Sequence, residues 1–408
     1  MTANSAPSNS APSHSAPSGP GPLAGVRVLD LTRLLPGGHA TLMLAELGAD
    51  VVKVEDPRGG DGTRVIEPRS RSGESGMHLV LNRGKRSVRI DTGTDEGRAQ
   101  LQELVRHADV LIDSFRPGVL NRIGLSPATL AELNPTLVHV AITAFGPDSQ
   151  RAGHDLNALG ESGFLSLTPG GTPALPASPV ADLSAGFQAV IAVIAGLRAR
   201  DLGQPLGELC VSMTDAAMGL LGLAEGAYVA TGETPRPGES GLGGYLTGAL
   251  ACYDVYECAD SAWVTVAALE PKFFANLLIG LGLDSEMWGL RQRDPGAQDE
   301  LRLLIAQRFA TQNRDAWLST FDDLDACVGP VFNVDEAFGQ AVRRGRVALT
   351  TVQTRHGEST DVVRAVPWFA SGPEVSAPEV SAPALGEHTD EVLAEWSVPK
   401  PPPPSLEF

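Results

Sequence analysis

Apolar positions along the chain fall into short continuous runs and longer stretches with helical spacing, and the two kinds alternate. VRVLDLT (26–32) is an apolar run of strand length. RLLPGG turns the chain, and HATLMLAELG (39–48) carries helical spacing up to a glycine. ADVVKVED (49–56) is a second strand, completing a strand–helix–strand unit of about 30 residues, the mark of a parallel sheet. SVRIDT (87–92), a helix near DEGRAQLQELVRHA (95–108) and DVLIDSF (109–115) repeat the theme, and TLVHVAITAFG (136–146) adds a strand. The pattern predicts an α/β fold with a doubly wound parallel sheet, whose ligands sit beyond the carboxyl ends of the strands.

The rhythm then changes. A helix-rich stretch (183–231) leads into a glycine-rich connection, PGESGLGGYLTGAL (237–250). YDVYECADSAWVTVAAL (253–269) reads as two strands around a turn, followed by helices at EPKFFANLLIGLGL (270–283) and ELRLLIAQRFA (300–310). These predict a smaller α+β domain at 248–330. The expected organisation is a Ser/Ala/Pro-rich disordered tail (1–21), a large domain (22–213), a linker (214–247), the small domain, a return segment packing on the large domain (331–396) and a Pro-rich tail (397–408).

Composition narrows the partners. Lys and Arg total 31 against 49 acidic residues, a net charge of −18. That field disfavours a nucleic-acid binder, and an anionic ligand would need a local basic pocket. The run AVIAVIAGL (189–197) is far short of a membrane span. The four cysteines have no zinc-like spacing and make no disulfide framework, so a reduced, cytoplasmic setting without a metal is expected. No GxGxxG follows the first strand, and no GxxxxGK[ST] occurs.

Basic residues concentrate at turns. Lys53 lies in the second strand; Arg83, Lys85 and Arg86 fill NRGKRS; Arg116 and Arg122 fall in FRPGVLNR. Singly they read as surface cations, but together, at strand ends of one sheet, they read as contacts to several phosphates. His154 stands before Asp155 and a helix, where free N–H groups favour negative charge. It is either a loop histidine or a base beside an anion site. Asp182, ahead of an apolar helix, is an N-cap or a reactive carboxylate. Glu270 opens another helix, as a dipole partner or as a functional group.

GPLAGVRVLDLTRLLPGGHATLMLAELGADVVKVEDP, NRGKRSVRID, ADVLIDSFRPGVLNRIGL, AGHDLNALGESG, DVYECAD, EPKFFANLLIGLGL, DACVGPV and PALGEHTDEVL follow one another over residues 22–396. In this order they resemble the α-methylacyl-CoA racemase and family III CoA-transferase superfamily, on the racemase side. The resemblance implies an interlocked homodimer with no tightly bound cofactor and coenzyme A as part of an acyl-CoA substrate. The coenzyme would lie on the large domain, against Arg33, Lys53, Glu55, Arg83, Lys85, Arg86, Arg116 and Arg122. His154 and Asp182 would exchange the α-proton of a 2-methylacyl-CoA across a planar enolate. Glu270 of the partner chain would orient His154, and the Asp155 N–H would hold the enolate oxygen. Transferases of the superfamily use the aspartate at the position of Asp182 as a nucleophile that forms an aspartyl-CoA thioester. They usually lack the GHD histidine and carry a run of consecutive glycines, which GLGGYLTG does not have. Ala181 before Asp182, and Leu183, Ser184 and Ala185 after it, depart from the glycines common in racemases, as does Ala251-Cys252 before Tyr253. A side chain at 183 or 185 would narrow the acyl pocket or change the substrate.

Overall fold

The computed structural model describes residues 21–239, 244–343, 349–366 and 380–398. The chain divides into two compact units. The first gathers the described residues up to Ala152, Asp182–Met213 and the described residues beyond 345. The second holds Gly153–Ala181 and the described residues of 214–344, so 153–181 groups away from the stretch in which sequence placed it.

In the first unit, β1 (Arg27–Leu31), β2 (Asp50–Glu55), β3 (Arg86–Arg89), β4 (Val110–Asp113), β5 (Val138–Thr143) and β6 (Leu209–Ser212) form one sheet in the order β3-β2-β1-β4-β5-β6. Every pairing is parallel. The order reverses between β1 and β4, making that edge the switch point of a doubly wound sheet. Interior strands are apolar throughout because both faces are covered: Val28, Leu29, Val110, Leu111, Ile112 and Val140 are fully buried.

Helix α1 (Leu34–Glu46) begins earlier than its spacing predicts. Pro36-Gly37-Gly38 is part of the helix rather than a turn, since proline in a first turn gives up only an N–H without an intrahelical partner. Gly37 is required there, because a Cβ would fall 2.2 Å from the Thr32 Cβ. In α3 (Asp95–His107) the Thr94 hydroxyl caps the Gly97 N–H at 3.0 Å, with acids in the first turn and Arg106 and His107 in the last, as the helix dipole favours. The returning segment docks on β3: the His388 N–H donates to the Ser87 carbonyl (2.9 Å), and Trp396 is fully buried.

Helix α7 (Val180–Asp201) has 22 residues, and its most apolar 18 have a mean hydropathy of 1.8, so by length and composition it could cross a membrane, contrary to the reading of its shorter apolar core. Its residues Ala181, Ala185, Ala189 and Val193 are fully buried, while Phe187, Ile191 and Ile194 remain exposed.

The second unit is built on an antiparallel sheet, β7 (Tyr253–Glu257), β8 (Trp263–Ala267) and β9 (Val328–Val331). Helices Pro271–Gly280, Gln298–Phe309 and Arg314–Phe321 supply its core. Phe309 sits at its centre, stacked on Tyr256 (5.5 Å) and edge-on to Trp317 (5.3 Å).

Candidate active site

The carboxyl ends of β1 to β4 open into a cleft of about 100 Å³ lined by Thr32, Arg33, Lys53, Glu55, Asp56, Asp61, Ile90 and Phe115. The Arg33 N–H donates to the Ser114 hydroxyl (2.8 Å), tying the ends of β1 and β4 together at the switch point. The exposed Arg33 guanidinium lies 5.3 Å from the centre of the Phe115 ring. A flat cation on an aromatic wall suits a planar, anionic ligand.

Below the cleft the charges neutralise one another. Lys53 is 1 % exposed and faces Asp61 (3.0 Å) and Asp30 (3.6 Å), while its Nζ donates to the Thr32 carbonyl (2.9 Å). Burial alone would depress the Lys53 ammonium, but Asp30, Asp61 and Glu55 outweigh it and raise its pKa. Burial alone would likewise raise Asp30, but Lys53, Lys85 and the Thr32 and Thr41 hydroxyls hold it low. Glu55 accepts from Arg64 (2.5 and 2.7 Å), the Ser87 hydroxyl (2.7 Å) and the Asp61 N–H (2.9 Å). The acids at the cleft floor are therefore compensated internally and do not add free negative charge against a phosphate.

The structure redistributes the eight predicted coenzyme contacts. Arg33, Lys53 and Glu55 line this cleft, the latter two as floor rather than as free contacts. Arg83, Lys85 and Arg86 are engaged inside the fold. Arg83 pairs with Glu46 (2.5 Å), and Lys85 reaches Thr41 (2.7 Å), Gly38 O (3.1 Å) and Asp30 (3.4 Å). Arg86 pairs with Asp50 and with Glu395 (2.6 Å). Each of these three faces a carboxylate brought to it by another element. Arg122 is exposed at the end of the short helix Val119–Arg122.

Arg116 borders a second cleft, of about 180 Å³, beyond β4, β5 and β6. Its wall holds a buried pair, His139 Nε2 to Asp113 Oδ2 at 2.8 Å, together with Thr143 and Cys210. Sequence reading passed over this pair; the signal was a histidine inside the apolar run VHVAIT. Asp56, Asp61 and Phe115 were also missed, although each lies in the loop just after a strand.

Four residues were assigned acid–base or oxyanion roles. His154, not Asp155, is the N-cap of α6 (Asp155–Glu161), and its N–H donates to Asn157 Oδ1 (3.1 Å). Its side chain is exposed. Asp155 is the first helical residue, and its carboxylate accepts from the Ala181 N–H (2.7 Å). Helix α6 is thereby tied to the residue directly preceding Asp182. Asp182 stands in the first turn of α7, half-buried. Glu270 is the exposed N-cap of the helix Pro271–Gly280.

The sequence profile described as CoA-transferase family III matches residues 23–389. The chain belongs to this family. Family membership makes it an enzyme fold for CoA thioesters, and the parallel sheet with a smaller α+β unit is the family's architecture. It is 33 % identical over 383 residues to the α-methylacyl-CoA racemase of Mus musculus, covering 92 % of this chain and 93 % of the relative. It is 32 % identical over 389 residues to the succinate–glutarate CoA-transferase of Agrobacterium fabrum, covering 92 % and 95 %. A CAIB/BAIF family protein from Brucella suis superposes with a TM-score of 0.79 at 28 % identity, covering 93 % of this chain and 100 % of that one. Racemases and transferases stand equally near, so similarity alone does not carry the racemase preference read from the motifs.

Proposed function

We propose that this chain is an acyl-CoA racemase that inverts C2 of a 2-methylacyl-CoA thioester. His154 and Asp182 act as the two proton carriers: one removes the α-proton, the enolate flattens, and the other returns a proton to the opposite face. The Asp155 N–H holds the enolate oxygen, and Glu270 of the partner chain orients His154 and supports its imidazolium. The coenzyme lies over the cleft at the switch point, with Arg33, Arg116 and Arg122 as its cationic contacts and Phe115 beneath. The observation that carries the reading is the setting of His154. His154, its side chain exposed, is the N-cap residue of a helix whose first residue accepts from the Ala181 N–H, one position before Asp182. A transferase needs the carboxylate of Asp182 but has no use for that histidine.

The exposed apolar stripe of α7, Phe187, Ile191 and Ile194, fits the homodimer implied by the family resemblance, in a cytoplasmic setting. The near-equal identity to a CoA-transferase supports one alternative, CoA transfer between carboxylic acids through an aspartyl-CoA thioester on Asp182. Incubation with a chiral 2-methylacyl-CoA in deuterated water separates the two. Racemisation incorporates deuterium at C2 with no acceptor acid present. A hydroxylamine-sensitive adduct on Asp182 without deuterium incorporation replaces the racemase with the transferase.

A further inference from the structure

Phe115 lies between the two clefts at the carboxyl ends of the strands. It lines both, and the Arg33 guanidinium lies 5.3 Å from its ring centre. The backbone beneath the ring is held by a short chain of hydrogen bonds. Phe115 stands two residues beyond the end of β4, past the sheet ladder, so a side chain takes up its N–H. Asp113 Oδ1 accepts from it at 2.9 Å. The other oxygen, Asp113 Oδ2, is 2.8 Å from His139 Nε2. A carboxylate only accepts, so this ring nitrogen carries the proton and donates. The parallel register sets His139 opposite Leu111, which places His139 and Asp113 on one face of the sheet, on adjacent strands. Both are buried, and a carboxylate bonded through one oxygen alone would leave the other unmatched there. Two bonds, one to each oxygen, fix the side-chain torsions of Asp113 and with them the start of the loop. Ser114, between Asp113 and Phe115, accepts from the Arg33 N–H at 2.8 Å, so the same loop also sets Arg33.

We propose that His139 is a positioning residue for the coenzyme: through Asp113 it holds the Phe115 backbone, and with it the ring and the adjoining Arg116, in place against the bound ligand. The inference rests on the coenzyme lying over the switch-point cleft, as argued above, and it holds for a racemase and a transferase alike, since both bind coenzyme A.

The test uses the full chain and free coenzyme A. Calorimetry gives the Kd for wild type, His139→Phe and His139→Gln. Phenylalanine fills the space without a donor; glutamine returns an N–H donor. The expected Kd is weaker by roughly 5- to 20-fold in His139→Phe, a share of what a hydrogen bond to a charged group is worth, and within about twofold of wild type in His139→Gln. Hydrogen exchange of the Phe115 amide should quicken in His139→Phe alone, while the core amides of Leu29 and Val140 keep their wild-type rates. A wild-type Kd in His139→Phe overturns the proposal. So does exchange at Leu29 and Val140 that quickens as much as at Phe115, because the loss is then one of general stability. An equal weakening in both variants overturns it as well. Arg33→Ala, which removes a direct contact, tests the cleft separately. Weakened binding in Arg33→Ala but not in His139→Phe keeps the cleft and removes the role of His139. Unchanged binding in both places the coenzyme elsewhere and removes the two readings together.

Discussion

His78 lends itself to a pH prediction whose sign and size both come from its surroundings. It lies in the helix Gly76–Leu81 and is 3 % exposed. Its Nε2 is 3.2 Å from the Pro383 carbonyl and 3.1 Å from Arg64 Nη1, and its Nδ1 is 3.0 Å from Asn82 Nδ2. One neutral tautomer suits this setting: Nε2–H donates to Pro383 O while Nδ1 accepts from the Asn82 amide. A second proton would break the Asn82 bond and place a cation against the Arg64 guanidinium. Burial first, and Arg64 second, push the His78 pKa down to about 4. Against an unfolded value of about 6.5, that difference corresponds to about 3 kcal/mol. As pH falls the unfolded chain binds this proton first, so the contribution is complete above about pH 6.5 and is lost progressively towards pH 4. Because His78 holds Pro383, the loss falls on the attachment of the returning segment (380–398). The assay is a ring-proton titration of His78, together with hydrogen-exchange protection factors for Val392 and Trp396 at pH 7, 5.5 and 4.5. Wild type should lose protection on acidification, and His78→Gln, which has no such proton to bind, should show a flatter profile. A His78 ring that titrates near 6.5, or identical acid profiles in the two proteins, refutes the reasoning.

Three further outcomes follow from the geometry. His154→Ala should lower deuterium exchange by about 10²- to 10⁴-fold, the usual share of a general acid–base group, and undiminished exchange would end its role as a proton carrier. Lys53→Met removes the cation between Asp30 and Asp61 and should cost about 3–5 kcal/mol, read as a large fall in melting temperature; a fall of only a degree or two would show that the buried acids find other partners. Gly97→Ala would place a Cβ 2.0 Å from the Asp91 carbonyl oxygen, so β3 and α3 must separate. Its melting temperature should drop despite alanine's better helix propensity, and a rise would contradict the close approach.

The sheet was legible because an interior parallel strand leaves a continuous apolar run, as VRVLDLT and DVLIDSF show. The start of α1 was not, because Pro-Gly-Gly reads locally as a turn. Only the approach of Thr32 to Gly37 shows why glycine belongs inside that helix. Charge was the harder part. Lys85 at a strand end looked like a ligand for phosphate, but its partner Asp30 lies 55 positions away in sequence. A cation's role depends on which carboxylate the fold carries to it, and spacing does not encode that. The Asp113–His139 pair was hidden for the same reason: each residue alone is a polar interruption in an apolar strand.

The racemase and transferase readings both use Asp182, in the first turn of α7, so the difference between them lies in what surrounds that carboxylate. Sequence named two side chains, at 183 and 185, as able to narrow the acyl space beside Asp182. Their placement separates them. Ala185 is fully buried on the packed face of α7, so its methyl is committed to the core. Leu183 is half-buried and directly follows Asp182. Successive residues of a helix point about 100° apart, so Leu183 borders the carboxylate without sharing its direction. Under the proposed function it is therefore the side chain that sets how bulky a group C2 can carry. Substrate choice would then rest on a residue adjoining the carboxylate, which would let one scaffold serve both chemistries without altering its sheet.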